Sequence, residues 1–234
     1  MKSMHTRVQL FAAWCIPAFI VTYLIGFIGL SGFVPPPSPT LSAEQVAAIF
    51  EHSRNAIRGG QLLCMVVAGL FYIPFTVLIS VHMARVEGRY PILAGMQLTG
   101  NAILIVYFIL CSLMWSIAAF RADYDPQLLR FINDATWLIF VMMYPTYVVA
   151  LLAMSICGFI DKRPVPIWPR WFSFITLWVV AGGIWGGFAT FFKTGPFAWD
   201  GLLGFWVPVG SYLVWLLILF PLLIKLVKRA ALED

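Results

Sequence analysis

Four uninterrupted runs without a charged side chain set the limits on how this chain can fold. Residues 8–33, 90–120, 135–160 and 201–224 contain no Lys, Arg, Asp or Glu. Each exceeds the roughly 20 residues that an α-helix needs to cross a hydrocarbon layer. Across the 234 residues only 11% are charged, against about a quarter in an ordinary soluble domain. Too little polar surface remains to face water. The expected fold class is an all-α integral membrane protein, one domain over 1–234. Six transmembrane helices are expected at about 8–32, 61–81, 92–120, 135–159, 171–192 and 202–226. The first segment is longer than the apolar core of a signal peptide and no small-residue cleavage site follows it, so it reads as a retained helix.

One short amphipathic helix is expected in the first outer loop. It follows the stiff segment Val34-Pro-Pro-Pro-Ser-Pro. Ser42-Ala-Glu-Gln reads as a capping box, and Val46, Ile49, Phe50, Ser53 and Ile57 then share one helical face over about 42–57. Such a segment would lie at the interface or cover the bundle.

Six crossings put both termini on one side. That side would carry Lys2, Arg7, Arg85, Arg89, Lys162, Arg163, Arg170, Lys225, Lys228 and Arg229; the other would carry Arg54, Arg58, Arg121, Arg130 and Lys193. Positive residues favour the cytoplasm, so the expected location is the cytoplasmic (plasma) membrane with both termini cytoplasmic.

The most patterned stretch runs from Trp171 to Trp215. Trp171, Trp178, Trp185 and Phe192 recur every seven residues, which places them on one stripe of the fifth helix. Gly182, Gly183, Gly186 and Gly187 lie beside it as two overlapping small-xxx-small pairs, a pattern that admits a close neighbouring helix. This stretch is expected to be the packing centre. If the stripe faces inward it lines a pocket; if outward, it is an interface for protein or lipid.

Catalytic and metal-binding motifs are lacking. No G-x-S-x-G, H-E-x-x-H, Walker A or dinucleotide fingerprint occurs. His5, His52 and His82 fall at different depths, unsuited to a haem or metal site. Cys15, Cys64, Cys111 and Cys157 sit in apolar runs and read as packing thiols. No catalytic residue, metal ligand or cofactor is expected, and no lysine or carboxylate sits mid-span to serve a Schiff base or a coupled pump.

The interior instead offers neutral polarity. Tyr72, Thr76, Gln97, Asn101 and Tyr212, with Trp178 and Trp185, are the candidate walls of a ligand pocket, the plainer reading being hydrogen bonds between helices. Asp134, Lys193, Trp199 and Asp200 are candidates for an outer cap or gate. In that reading Lys193 and Asp200 pair across the loop, and Asp134 opens the fourth helix. The segment from Lys193 to Asp200 is distinctive, but no activity follows from it.

The expected function is to bind or pass a small neutral or hydrophobic molecule, as a permease or channel would. The alternative is a non-catalytic accessory or scaffolding subunit. A third reading is a lipid-modifying enzyme using Glu51, His52 and Asp134. Expected partners are the lipid bilayer, a small neutral or hydrophobic ligand, and a second copy or another subunit docking on the Trp/Gly face of the fifth helix. Nucleic acid is not expected.

Overall fold

The computed structural model describes residues 2–233, and side chains from 4 to 232. Among the described residues all regular structure is helical. The helices are α1 (Lys2–Leu24), α2 (Ala43–Val67), α3 (Ile73–Glu87), α4 (Ile92–Ala118), α5 (Pro126–Met142), α6 (Tyr144–Ile160), α7 (Arg170–Gly183) and α8 (Val207–Glu233). Irregular helical turns extend or join several of them. They compose six segments long and apolar enough to cross a membrane: Met4–Leu30, Ala43–Glu87, Ile92–Ala118, Pro126–Ile160, Arg170–Phe191 and Leu202–Leu232.

The segments close into a ring. Each packs on the next in sequence, and α8 returns to pack on α1. With six segments, the first begins and the last ends at one end of the bundle, called here the terminal face. The linkers 31–42, 119–125 and 192–201 lie at the other, the loop face.

Three boundaries differ from the sequence reading, each for a local reason. The amphipathic helix and the second span meet without a linker: the helical segment Ala43–Glu87 is two helices joined at a kink at Ser53, and the part after the kink is still about 50 Å long at 1.5 Å per residue. A hydrocarbon layer is only about 30 Å thick. Ser42 does form the capping box with Gln45, but Arg58-Gly-Gly supplies no stop, and the chain bends only at Ser53 (φ −112°, ψ 16°). Val46, Phe50 and Ile57 are buried as the periodicity implies, and α2 packs on α5 and α4. A π-helical turn over Ala68–Tyr72 then precedes Pro74, whose missing N–H cannot serve a regular α ladder.

The fourth span starts earlier, at Pro126. Asp125 Oδ1 accepts from the amides of Gln127 (2.8 Å) and Leu128 (3.3 Å), a side-chain N-cap followed by proline in the first turn. Pro145 then divides this span into α5 and α6. The fifth span is α-helical only to Gly183 and continues as a 3₁₀ turn, Ile184–Phe191, through glycines of low helix propensity.

The packing centre also moves. Trp171, Trp178 and Trp185 are exposed, by 50%, 79% and 40%. The buried aromatic centre is built by the first, third and fourth spans and by Phe33 of the linker after the first. Phe33 lies 4.8 Å from Trp115, Trp115 lies 5.0 Å from Trp137, and Phe27 stacks on Phe140 at 5.4 Å, centroid to centroid. Edge-to-face and offset rings of this kind add to the burial of their area. The glycines beside the stripe are used within the chain. A Cβ at Gly183 would strike the Tyr147 hydroxyl, one at Gly186 the Val141 carbonyl, and one at Gly187 the Tyr144 ring at 2.5 Å. The small-residue pattern thus lets the fourth span approach the fifth, while the large rings point away from the bundle.

Candidate functional site

Inside the ring lies a cavity of about 130 Å³. The first span contributes Phe19, Ile20, Tyr23 and Leu24; the third, Leu104 and Phe108; the fourth, Phe140, Val141, Met143 and Tyr147; the fifth, Gly183; the sixth, Gly204, Pro208, Val209, Tyr212, Leu213 and Leu216. No lining residue carries a charge. The space exists because the walls are irregular. Pro145 separates Met143 from Tyr147 on a broken helix, Pro208 starts α8 after a π-helical turn at Leu202–Trp206, and Gly183 and Gly204 present only backbone. The hydroxyl oxygens of Tyr23 and Tyr147 are buried and make no hydrogen bond, so these residues contribute mainly ring surface to the walls.

A directed hydrogen-bond chain runs beside the cavity. The Tyr72 hydroxyl donates to Asn101 Oδ1 at 2.7 Å. It also lies 2.6 Å from the Tyr212 hydroxyl. A phenol has one proton, and Tyr72 gives its own to Asn101, so Tyr212 is the donor in the second bond. Asn101 Nδ2 in turn donates to the Gln97 backbone carbonyl at 2.9 Å. The chain joins the sixth, second and third spans. Every hydroxyl and amide in it has a partner, as buried polar groups require.

Of the residues expected to form a pocket, the structure brings Tyr72, Asn101 and Tyr212 together, and Tyr212 alone among the seven lines the cavity. Thr76 is buried but donates back to the Ile73 carbonyl at 2.8 Å. Gln97 is buried with its amide oxygen and nitrogen both without a partner. Trp178 and Trp185 face out of the bundle and are not in the cavity wall, because the α7 glycines hold the opposite face against α6. The walls that sequence reasoning missed, Phe19, Phe108, Phe140 and Leu216, are apolar residues in apolar spans. Only the interruptions near them, at Pro145, Gly183, Gly204 and Pro208, carried a signal.

The loop-face candidates divide in the same way. Trp199 is 5% exposed, and its indole Nε1 donates to the Pro37 carbonyl at 2.8 Å. The proline-rich linker therefore lies over the last loop. The loop is held by its own backbone: Leu203 and Gly204 amides donate to the Pro196 carbonyl (2.7 and 3.0 Å), and Gly201 to that of Ala198 (2.8 Å). Gly195 turns it at φ +81°. A Cβ at Gly201 or Gly204 would collide with these same carbonyls. Lys193 and Asp200 form no ion pair with each other among the described residues; Lys193 is exposed, and the backbone already fixes the turn between them. Phe191, at 77% exposure, is not pressed into the bundle mouth. Asp134 is half-buried in the third turn of α5 rather than at its start, with Arg130 and Lys193 as basic neighbours. Glu51 and His52 are both exposed on α2. Among the described residues no group of three or more His, Cys, Asp or Glu is placed to hold a metal ion. The four cysteines are free and buried.

Comparisons with protein-family models, with curated proteins and with solved structures find no match.

Proposed function

We propose that the chain is an integral membrane protein, both termini cytoplasmic, that binds or passes a small neutral or hydrophobic molecule. One observation carries the reading: the uncharged, aromatic-walled cavity of about 130 Å³ lined by five of the six segments. A space of similar size, about 150 Å³ and lined by Leu, Ile and Phe, stays dry and accepts benzene in a soluble protein. Apolar walls with a few fixed polar groups are the common form of a small-molecule site. The absence of charge from the lining disfavours an ion. The basic residues gathered at the terminal face support the orientation.

Bromobenzene is a suitable first probe. Purified wild-type protein in detergent should gain thermal stability with its concentration, by about 2.7 kcal/mol at a hundredfold excess over Kd. Leu216→Trp projects an indole into the same space and should remove that gain. Equal shifts in the two proteins would show that the probe acts on the detergent or the outer surface, and the reading would fall.

The outward direction of Trp171, Trp178 and Trp185 favours a second reading, an accessory subunit that lays this strip against another membrane protein. Co-purification of a partner that Trp178→Ala releases, with the bromobenzene response unchanged, would support it.

A further inference from the structure

The cavity described above has one wall residue that is well exposed. Val209 lines it and is 39% exposed, one helical turn from Trp206, a ring that is 44% exposed and not part of the cavity wall. The reason is a divergence between the first and last spans. Toward the terminal face α1 and α8 pack together, with Trp14 against Phe220 at 5.0 Å. Toward the loop face the first span turns away. Its π-helical turn, Ile25–Leu30, packs on α2, where Gly26 meets Gly60 so closely that neither has room for a Cβ. Gln61 Nε2 donates to Ser31 Oγ at 2.9 Å and fixes the same contact. The turn Leu202–Trp206 is drawn the other way, against the 3₁₀ segment of the fifth span. Leu24 and Val209 stand on the two sides of this divergence, both in the cavity wall and neither fully covered, and the gap between the two spans there is the seam.

Depth decides what meets that seam. Leu24 is six residues before the end of the first span, and Val209 seven after the start of the sixth. At 1.5 Å per residue the seam lies roughly 10 Å below the loop face, within a hydrocarbon layer about 30 Å thick. Its flanks are apolar too: Val21 is 55% exposed, Ile25 49% and Trp206 44%. Neither span carries a charged residue between 8 and 33 or between 201 and 224.

We infer that the cavity opens sideways between the first and sixth spans and takes the end of a bilayer lipid's hydrocarbon chain. This rests on the cavity reading and the membrane placement above, and names the class of molecule and its route. Water does not reach an opening at that depth; lipid tails adjoin it. The cavity volume suits a benzene-sized piece of chain, not a headgroup. No cation lines the cavity or the seam to bind a phosphate. A chain inside would meet Phe19, Leu104, Phe108, Phe140 and Leu216, while its headgroup stayed at the interface.

The test uses the full chain in phosphatidylcholine vesicles containing a phosphatidylcholine with a diazirine at the tip of one acyl chain. After illumination, mass spectrometry maps the labelled residues. Labelling is expected at Leu104, Phe108 or Leu216 as well as at lipid-facing residues such as Phe174. Val209→Trp, a change at an exposed position, should abolish the cavity labels and leave Phe174 labelled. A diazirine on the headgroup should label none of the three. Labels confined to lipid-facing residues would overturn the proposal, as would cavity labels that Val209→Trp leaves in place or that the headgroup probe reproduces. The bromobenzene response separates the two readings. If it persists while the chain-tip label stays outside, the cavity binds small molecules and the lateral route is wrong.

Discussion

Tyr212 and Tyr72, 140 residues apart, share a hydrogen bond of 2.6 Å in which Tyr212 is the donor. The place of Tyr72 in the middle of the chain has a consequence for mutation. Tyr212→Phe removes one donor and leaves Tyr72 bonded to Asn101. Tyr72→Phe leaves both the Tyr212 proton and Asn101 Oδ1 unpaired inside the bundle. Interhelical hydrogen bonds in membranes average about 0.6 kcal/mol. Tyr72→Phe should therefore cost about twice as much as Tyr212→Phe, near 1.2 against 0.6 kcal/mol on the same scale. The double variant should resemble Tyr72→Phe alone, because the two groups act as one unit. Unfolding in mixed micelles reads all three. Equal costs for the two single changes would mean that Tyr72 does not bond Tyr212 and Asn101 together.

The glycines of the last two spans should behave oppositely to one another. Gly186 faces the Val141 carbonyl, which cannot yield, and Gly210 on α8 has open space where a Cβ would go. Gly186→Ala should destabilise by about 1–3 kcal/mol, the usual range for overpacking. Gly210→Ala should stabilise by about 0.5–1 kcal/mol, since glycine inside a helix costs that much relative to alanine. Thermal melts in nanodiscs distinguish the signs.

Much of the architecture could be read from charge alone. The four long uncharged runs coincide with four of the six helical segments that are long and apolar enough to cross a membrane. The capping box at Ser42 and the buried face of Val46, Phe50 and Ile57 were legible because both are local. What was not legible was the direction of the tryptophan stripe. Rings every seven residues beside glycines at four-residue spacing fit two arrangements, and the difference lies in which face meets the fourth span. Tyr147 and Tyr144 fill the glycine side, so the rings turn outward. The cavity was hidden for a related reason: its walls are apolar residues among apolar residues, marked only by the helix breaks around them. Tyr72, Asn101 and Tyr212 were visible because polar groups are scarce in these spans, though their partnering depends on contacts far apart in sequence.

Accessibility of the linkers gives a further prediction. In a background lacking the native cysteines, single cysteines at Ser38, Asp123 and Thr194 lie at the loop face, and those at Glu87 and Lys162 at the terminal face. With both termini cytoplasmic, an impermeant thiol reagent added outside intact cells should reach the first three and miss the other two. The reverse pattern would invert the orientation while keeping the ring. A mixture within either group would contradict the fold.

The loop cap makes the last prediction, and here two sets of residues expected to act together separate. The structure assigns the closure to Trp199 and the Pro196 carbonyl, not to an ion pair of Lys193 with Asp200. Trp199→Phe keeps most of the buried ring and deletes the bond to Pro37. That loss leaves the Pro37 carbonyl unpaired, at about 0.5–1.5 kcal/mol for a hydrogen bond. Amide hydrogen exchange should therefore quicken in the linker around Thr40 and Leu41 as well as in the loop at 198–204, because one contact holds both. Lys193→Ala and Asp200→Ala should each change stability little, and together by the sum of the single effects, as independent surface residues do. A coupling of more than about 0.5 kcal/mol between them would show that they attract each other in solution. Exchange that quickens in the loop and leaves the linker unchanged would mean that the proline-rich segment is held by contacts other than Trp199.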